Sequence, residues 1–419
     1  MIVSSLLLLL LAALGAPLFA IIGAGALLGY ARNDIDLTAV PIEIFGIAET
    51  PVLLAIPLFT FAGYVLSAGK AASRLVRLSA ALVGWLPGGL AMVAVVTCSL
   101  FTAFTGGSGV TIIALGALLY PALLEAGYKE KFTLGLITSS GSLGLLFAPS
   151  LPLILYGIVA EVSIDDLFVA GILPGILMML VLFFFCLWSN RANRRPLGEF
   201  SWPGVFAALR ESAWELPLPI VVLGGIYSGI LAVSEAAAAT VVYVLVVELL
   251  VHRDVRFRDL PGLVRQSMML VGGILLILGI SLASTNYVID AQVPQQLIGI
   301  VTSYISDRTS FLLLLIGFLM LIGCILHIFS ALVLIVPLIL PVAAEYGIDP
   351  VHLGIIFVAT MELGYLLPPI GLNLYISSIR FSQPVLRVCA ATLPFVAILL
   401  VAVILIAFVT PLSLGLLGR

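Results

Sequence analysis

Apolar residues in this chain come in long blocks, and polar residues are confined to short gaps. The blocks run roughly 2–14, 15–30, 44–67, 86–104, 109–126, 132–157, 166–188, 216–233, 235–251, 263–288, 311–325, 328–344, 352–378 and 388–416. Most approach the roughly 20 residues that a helix needs to cross a bilayer. They lack the two-residue alternation of a membrane β-strand. The pattern predicts an all-α integral membrane protein. The longest polar stretch, about 189–215, reads as a cytoplasmic linker between a half at 1–188 and a half at 216–419. The opening MIVSSLLLLLLAALGAP lacks a basic leader and a small-residue cleavage site, so a retained first helix is expected.

The two halves repeat. Sliding the chain along itself, without gaps, until Pro121 meets Pro341 also brings Glu125 onto Glu345, Gly127 onto Gly347, Gly144 onto Gly364 and Pro149 onto Pro369. The loop charges invert between copies. Lys129 and Lys131 make one loop basic, whereas its counterpart near 349–352 has no Lys or Arg. Similar halves of opposite orientation are the signature of a secondary transporter.

Composition sharpens this. Hydrophobic residues make up 62% and charged residues 9% of 419 residues, against about 25% charged in an ordinary globular chain. Such a chain cannot coat a water-soluble body, so the lipid bilayer is its solvent. A net charge of −3 gives no reason to expect a nucleic-acid partner. No phosphate-binding GxxxxGK[ST] loop occurs, so the driving force is an ion gradient or another subunit. Of the 18 basic residues, 15 fall in five clusters that the positive-inside rule places in the cytoplasm: 70–77, 129–131, 191–210, 253–265 and 380–387. Cys98, Cys186, Cys324 and Cys389 are widely spaced in apolar stretches and predict neither a disulfide framework nor a transition-metal site. His252, His327 and His352 form no HExxH or Ser/His constellation, so no enzyme is expected.

Candidate chemistry sits where apolar blocks are interrupted. FTAFTGGSGVT (101–111) and GCILHIFSA (323–331) join apolar limbs at about 86–126 and 311–344, and are too apolar for loops in water. They read as buried tips of re-entrant hairpins; two ordinary hairpins with outer turns are the alternative. Bare backbone at membrane depth is tolerated only inside protein or against a cavity. Each hairpin is followed by a broken helix, about 132–157 and 352–378. Gly144 with Pro149 and Pro152 breaks the first; Gly364 with Pro368, Pro369 and Gly371 breaks the second. Proline frees carbonyls, which can hold Na⁺, while helix N-termini attract anions. Glu362 and Asn373 lie inside the second break, either as coupling or substrate groups or as caps on freed amides. His327, at the second tip, is a core histidine or a protonatable group that makes transport pH-sensitive between about 5.5 and 7.5.

The stretches LLAIPLFTFAG (53–63), FTAFTGGSG (101–109), GSLGLLFAPSLPLILYG (141–157), GGIYSGILAVSEAAA (224–238) and DPVHLGIIFVATMELGYLLPPIGLNLY (349–375) carry a resemblance. With them the chain resembles, over essentially its whole length, the large membrane subunit of tripartite ATP-independent periplasmic (TRAP) transporters. The resemblance implies an elevator-type transporter whose hairpins and broken helices slide against a scaffold. It implies a small four-helix membrane subunit, a periplasmic substrate-binding protein, the bacterial inner membrane, and Na⁺-driven import of a small organic acid such as a C4-dicarboxylate or sialic acid. H⁺ is the other coupling ion to consider, and no organic cofactor is expected. Thr105, Gly106, Gly107 and Ser108 fall at the first tip, Ser142, Gly144 and Pro149 at the first break, Ser330 at the second tip, and Gly364 and Pro368 at the second break; all are Na⁺-site candidates. Pro369 and Asn373 also match the second break. Leu367 stands where the family commonly has Thr, and His327 where an acid is common. These departures bear on the second ion site. A stand-alone ion-coupled anion carrier of related architecture is the competing reading.

Overall fold

The computed structural model describes residues 7–418 except 9, 12, 13, 34, 48, 49, 87 and 191–198. Much of the first apolar block and the basic residues Arg191, Arg194 and Arg195 therefore lie outside the described residues. Among the described residues all regular structure is helical, and eight helices are long and apolar enough to cross a membrane.

The first half comprises α1 (Leu18–Arg32), α2 (Ala39–Ile47), α3 (Ala55–Ala68), α4 (Ala71–Val83), α5 (Gly89–Thr105), α6 (Ser108–Glu125), α7 (Glu130–Ser140), α8 (Leu151–Val159), α9 (Ile164–Ala170) and α10 (Ile172–Ser189). The polar stretch contains α11 (Trp202–Glu211). The second half comprises α12 (Pro217–Tyr227), α13 (Val233–Leu245, prolonged by a π-helical segment, Val246–Val251), α14 (Leu260–Asp290), α15 (Val293–Tyr304), α16 (Arg308–Ile325), α17 (Ile328–Glu345), α18 (Pro350–Gly364), α19 (Leu372–Phe381), α20 (Val385–Phe408) and α21 (Pro411–Leu414).

Element boundaries follow the repeat alignment that places Pro121 on Pro341. The second limbs of the hairpins, α6 and α17, begin at aligned residues, Ser108 and Ile328, and end at aligned residues, Glu125 and Glu345. Helices α7 and α18 likewise start at the aligned Glu130 and Pro350. The first interrupted segment bends by 46° between a helix with a 3₁₀ end (Glu130–Leu146) and α8. The Ala148–Pro149 and Pro368–Pro369 peptide bonds, at equivalent positions, are both cis.

Helices α1, α2 and α3 pack on α14, and α13 packs on α3; the hairpins, the interrupted helices, α10 and α20 pack with one another, and the two sets meet where α14 packs on α17 and α3 on α5. Two elements escape a search for long apolar runs because they are amphipathic or partly polar. In α4, Ala71, Leu75 and Leu78 are buried while Arg77 and Leu82 face outward, the helical spacing of a one-sided apolar stripe. The linker is not wholly extended: Ser201 accepts a hydrogen bond from the Gly204 amide at 3.3 Å and caps α11. Val205 and Ala208 of α11 are buried, and the helix packs against α4. The four cysteines are free and buried.

Candidate ion and substrate site

Each hairpin turns through two residues. At the first tip Gly106 takes φ +66° and its amide bonds the Thr102 carbonyl at 2.8 Å, ending α5. A side chain there would be strained, and its Cβ would lie 2.9 Å from Leu151 Cγ. Gly107 then leads into α6 in an extended conformation. At the second tip Leu326 and His327 join α16 to α17, and His327 Nδ1 accepts the Phe329 amide at 3.4 Å. His327 is thus the N-cap of α17.

Both tips line one cavity of about 240 Å³. Thr105, Gly106, Gly107 and Ser108 contribute from the first tip, and His327, Ile328 and Phe329 from the second. Leu145, Leu151 and Pro152 reach it from the first break, Tyr365 and Leu372 from the second, and Tyr64 and Leu270 from α3 and α14. The first residues of α6 and α17 are on the wall, where a helix end carries partial positive charge. Among the described residues this wall carries no charged side chain.

Hydroxyl groups stitch the halves together behind the wall. Ser108 Oγ donates to Asn373 Oδ1 at 2.8 Å, and Thr138 and Ser377 meet at 2.9 Å. The Tyr365 hydroxyl accepts the Ile328 amide at 2.5 Å, fixing the second tip to the second break. The Ile370 amide bonds the Cys324 carbonyl at 3.1 Å, a second such tie. Thr102 Oγ1 gives its proton to the Gly141 carbonyl at 2.7 Å and lies 2.6 Å from Thr111 Oγ1, which therefore donates to it.

The glycines of the breaks are places of close approach. A Cβ on Gly144 would lie 2.3 Å from the Ser99 carbonyl and 2.6 Å from the Ala103 amide of α5. A Cβ on Gly364 would lie 2.5 Å from Gly323 Cα of α16. Ala103 and Gly323 are themselves aligned by the repeat, so each break rests on the preceding hairpin limb in the same way.

The sequence candidates divide by place. Thr105, Gly106, Gly107, Ser108 and His327 face the cavity, and Asn373 reaches it through Ser108. Ser142 and Gly144 are buried behind it, and Ser330 is buried in the first turn of α17. Pro149 is buried, whereas Pro368 and Pro369 are exposed. Glu362, 1% exposed, has no hydrogen-bond partner on either carboxylate oxygen, and Asn373 Nδ2 has none. Glu362 therefore caps no freed amide. Its aligned residue in the first half is Ser142, so the two breaks carry different polar groups at the same station. Sequence reasoning missed Thr102, Thr111, Tyr64 and Tyr365. The signal for Thr102 and Thr111 was the recurrence of hydroxyl residues around the first tip; Tyr64 and Tyr365 had none.

Comparison with known proteins gives concordant matches. The family described as "Tripartite ATP-independent periplasmic transporter, DctM component" matches residues 2–412. A C4-dicarboxylate TRAP transporter large permease protein DctM of Pseudomonas aeruginosa is 34% identical over 382 residues, 91% of this chain and 90% of its own. An ectoine/5-hydroxyectoine TRAP transporter large permease protein UehC of Ruegeria pomeroyi is 34% identical over 404 residues, 94% of each chain. The isethionate TRAP transporter permease protein DctMQ of Oleidesulfovibrio alaskensis is 31% identical over 396 residues, which are 94% of this chain but 61% of that longer protein. Among solved structures, the YdaH transporter of Alcanivorax borkumensis matches with a TM-score of 0.61 at 16% identity, over 90% of this chain and 89% of its own. That likeness bears on the fold alone.

Proposed function

The chain belongs to the DctM components of tripartite ATP-independent periplasmic transporters, a multi-pass protein of the bacterial inner membrane, and from that premise we propose that it imports a small organic acid with Na⁺. The acid is of the C4-dicarboxylate or sialic acid kind. A periplasmic binding protein delivers it, and a small four-helix membrane subunit stiffens the scaffold. The hairpins α5–α6 and α16–α17 are re-entrant, one from each face. With the interrupted helices they move as an elevator against the group formed by α1–α3, α13 and α14.

One observation carries this reading: both tips and both breaks share a single cavity whose wall has no charged side chain. The polar groups that an anion entering it would meet are helix-end amides, hydroxyls and the His327 ring, set among apolar side chains. Its charge is costly to bury unless a cation enters with it. Thr105 and Ser108 donate their protons to the Phe101 carbonyl and to Asn373, so their lone pairs stay free to face a cation. Ser142, Gly144, Pro149, Ser330, Gly364 and Pro368 supply the further oxygens of the two ion sites. Glu362, buried without a partner, either holds a proton or faces a coupling cation.

Proteoliposomes containing this chain and its small subunit test the proposal. Uptake of a C4-dicarboxylate should require both an inward Na⁺ gradient and the cognate binding protein. Robust uptake by this chain alone would favour the stand-alone carrier. Uptake driven equally by a proton gradient without Na⁺ would replace the coupling ion.

A further inference from the structure

Away from the cavity, three carboxylates converge on one guanidinium. Arg74 of α4, 6% exposed, donates Nε to Glu215, Nη2 to Glu248 Oε1 at 2.9 Å and Nη1 to Asp254 Oδ2 at 2.6 Å. Lys70 Nζ lies 3.4 Å from Asp254 Oδ1, and His252 Nε2 lies 3.7 Å from Glu215 Oε1. Glu215 stands just before α12, Glu248 lies in the π-helical end of α13, and Asp254 lies in the loop that leads to α14. A single side chain of α4 thus ties three segments. Burial pushes the Asp254 carboxyl up, but Arg74 and Lys70 outweigh it and hold the group below its ordinary range. Just before α4, a Cβ on Gly69 would lie 2.2 Å from Glu248 Oε2, so the carboxylate packs onto bare backbone.

Such a cluster is a poor device for stability alone. Desolvating several charges offsets most of their attraction, and apolar residues of like volume often serve as well. What a cluster of this kind fixes is geometry. The rest of α4 faces elsewhere: Leu75 and Leu78 join the large core, which takes in hairpin α5–α6 together with residues of α3, α12, α13 and α14, whereas Ala71 joins a smaller core with Leu218 and Val244. The helix packs against α5 of the hairpin and against α11. Its counterpart α15 contains no charged residue, and the repeat aligns Pro294 with Arg74.

We propose that the Arg74 cluster is a clamp that keeps α4 fixed to α12 and α13 while hairpin α5–α6 moves past it, and that the unclamped α15 travels with α17. The two halves are then anchored unequally. This rests on the moving-body reading of the proposed function. Arg74 acts here as a positioning residue.

Distances between pairs of spin labels test the clamp without a substrate, on the full chain with its small subunit. The labelled positions are exposed, and the native cysteines are buried. Leu82→Cys with Ile220→Cys reads α4 against α12. Leu118→Cys or Ile300→Cys with Ile220→Cys reads α6 or α15 against α12. The Leu82 pair should give one narrow distance with and without Na⁺, while the Leu118 and Ile300 pairs each give two. Arg74→Leu should abolish the narrow Leu82 distance. If that variant fails to fold, Asp254→Asn, which removes one ion pair, should broaden it. A Leu82 pair that splits in the unmodified protein, or stays narrow in both variants, overturns the clamp. An Ile300 pair that stays single while the Leu118 pair splits overturns the unequal anchoring. A Leu118 pair that stays single under all conditions overturns the moving-body reading instead, and the Arg74→Leu comparison still decides the clamp.

Discussion

Ser108 holds the first tip and Gly144 the first break by different physics. Ser108 gives one hydrogen bond to Asn373 across the two halves. Ser108→Ala removes that bond and an oxygen able to face an ion, and a lost ligand contact worth about 1.4 kcal/mol makes a tenfold change in affinity. We expect a raised Na⁺ requirement at normal expression, read by titrating uptake against Na⁺; an unchanged midpoint would move the ion elsewhere. Gly144 contributes through its lack of a side chain. Its Cβ would meet a carbonyl oxygen of α5, and backbone cannot yield as a side-chain tip does. Gly144→Val and Gly364→Val should each cost about 1–3 kcal/mol and lower the melting temperature in detergent. Equal melting of variant and parent would show that the breaks can slide off their hairpins. The glycines were legible because a repeated Gly and Pro pattern survives in sequence. Thr102 and Thr111 were not, because a hydroxyl inside an apolar run looks like filler until its partner, the Gly141 carbonyl, is known.

At the level of elements, long apolar blocks were legible because a membrane solvent imposes length and composition together. The amphipathic α4 and the linker helix α11 were not, because their apolar faces are one-sided and short. The role of the second tip also depends on its element. His327 was legible as a candidate but not as the N-cap of α17. A protonated imidazole has no acceptor, so protonation removes the contact with the Phe329 amide. Uptake should therefore weaken on acidification as the ring takes up its proton. His327→Gln keeps an oxygen acceptor that does not titrate, and its uptake should depend less on pH. A shared profile would leave His327 a structural cap. Within the clamp, Asp254 titrates in the acid range. The Asp254 carboxyl is held below its ordinary 3.8, so its contribution to stability is fully present above about pH 4 and falls as pH drops through the lower, folded value. Asp254→Asn should flatten the acid limb of a melting-temperature profile. Identical acid limbs would mean that Asp254 gains nothing from Arg74.

In the whole molecule the two halves are matched in their elements and unmatched in their chemistry. Pro149 is buried while Pro368 and Pro369 are exposed, and Ser142 holds the station that Glu362 holds in the other half. The repeat was visible in the sequence because backbone-breaking residues keep their spacing. The inequality of the two halves at the tips and breaks was visible only in part, through Leu367 and His327. Leu367 sits within the second break, its amide bonded to the Gly364 carbonyl at 3.0 Å, and its side chain offers no oxygen. The first break has Ser142 buried behind the wall, and the first tip has the Ser108 hydroxyl on it. On this reading the second ion site draws on main-chain carbonyls and Ser330 and holds its ion more loosely than the first. Leu367→Thr would add a hydroxyl where the resemblance to the TRAP family expects one. One added oxygen ligand worth about 1.4 kcal/mol makes a tenfold change in affinity. Uptake measured against Na⁺ should then show a lower midpoint for Leu367→Thr, with the maximal rate similar or reduced as the ion leaves more slowly. The Ser108→Ala variant should shift the other way, and the double variant should give the sum of the two shifts, because distant independent sites add. A Leu367→Thr protein with the parent's Na⁺ curve would show that main-chain oxygens already saturate the second site. A double variant departing from the sum would mean that the two ions share one site.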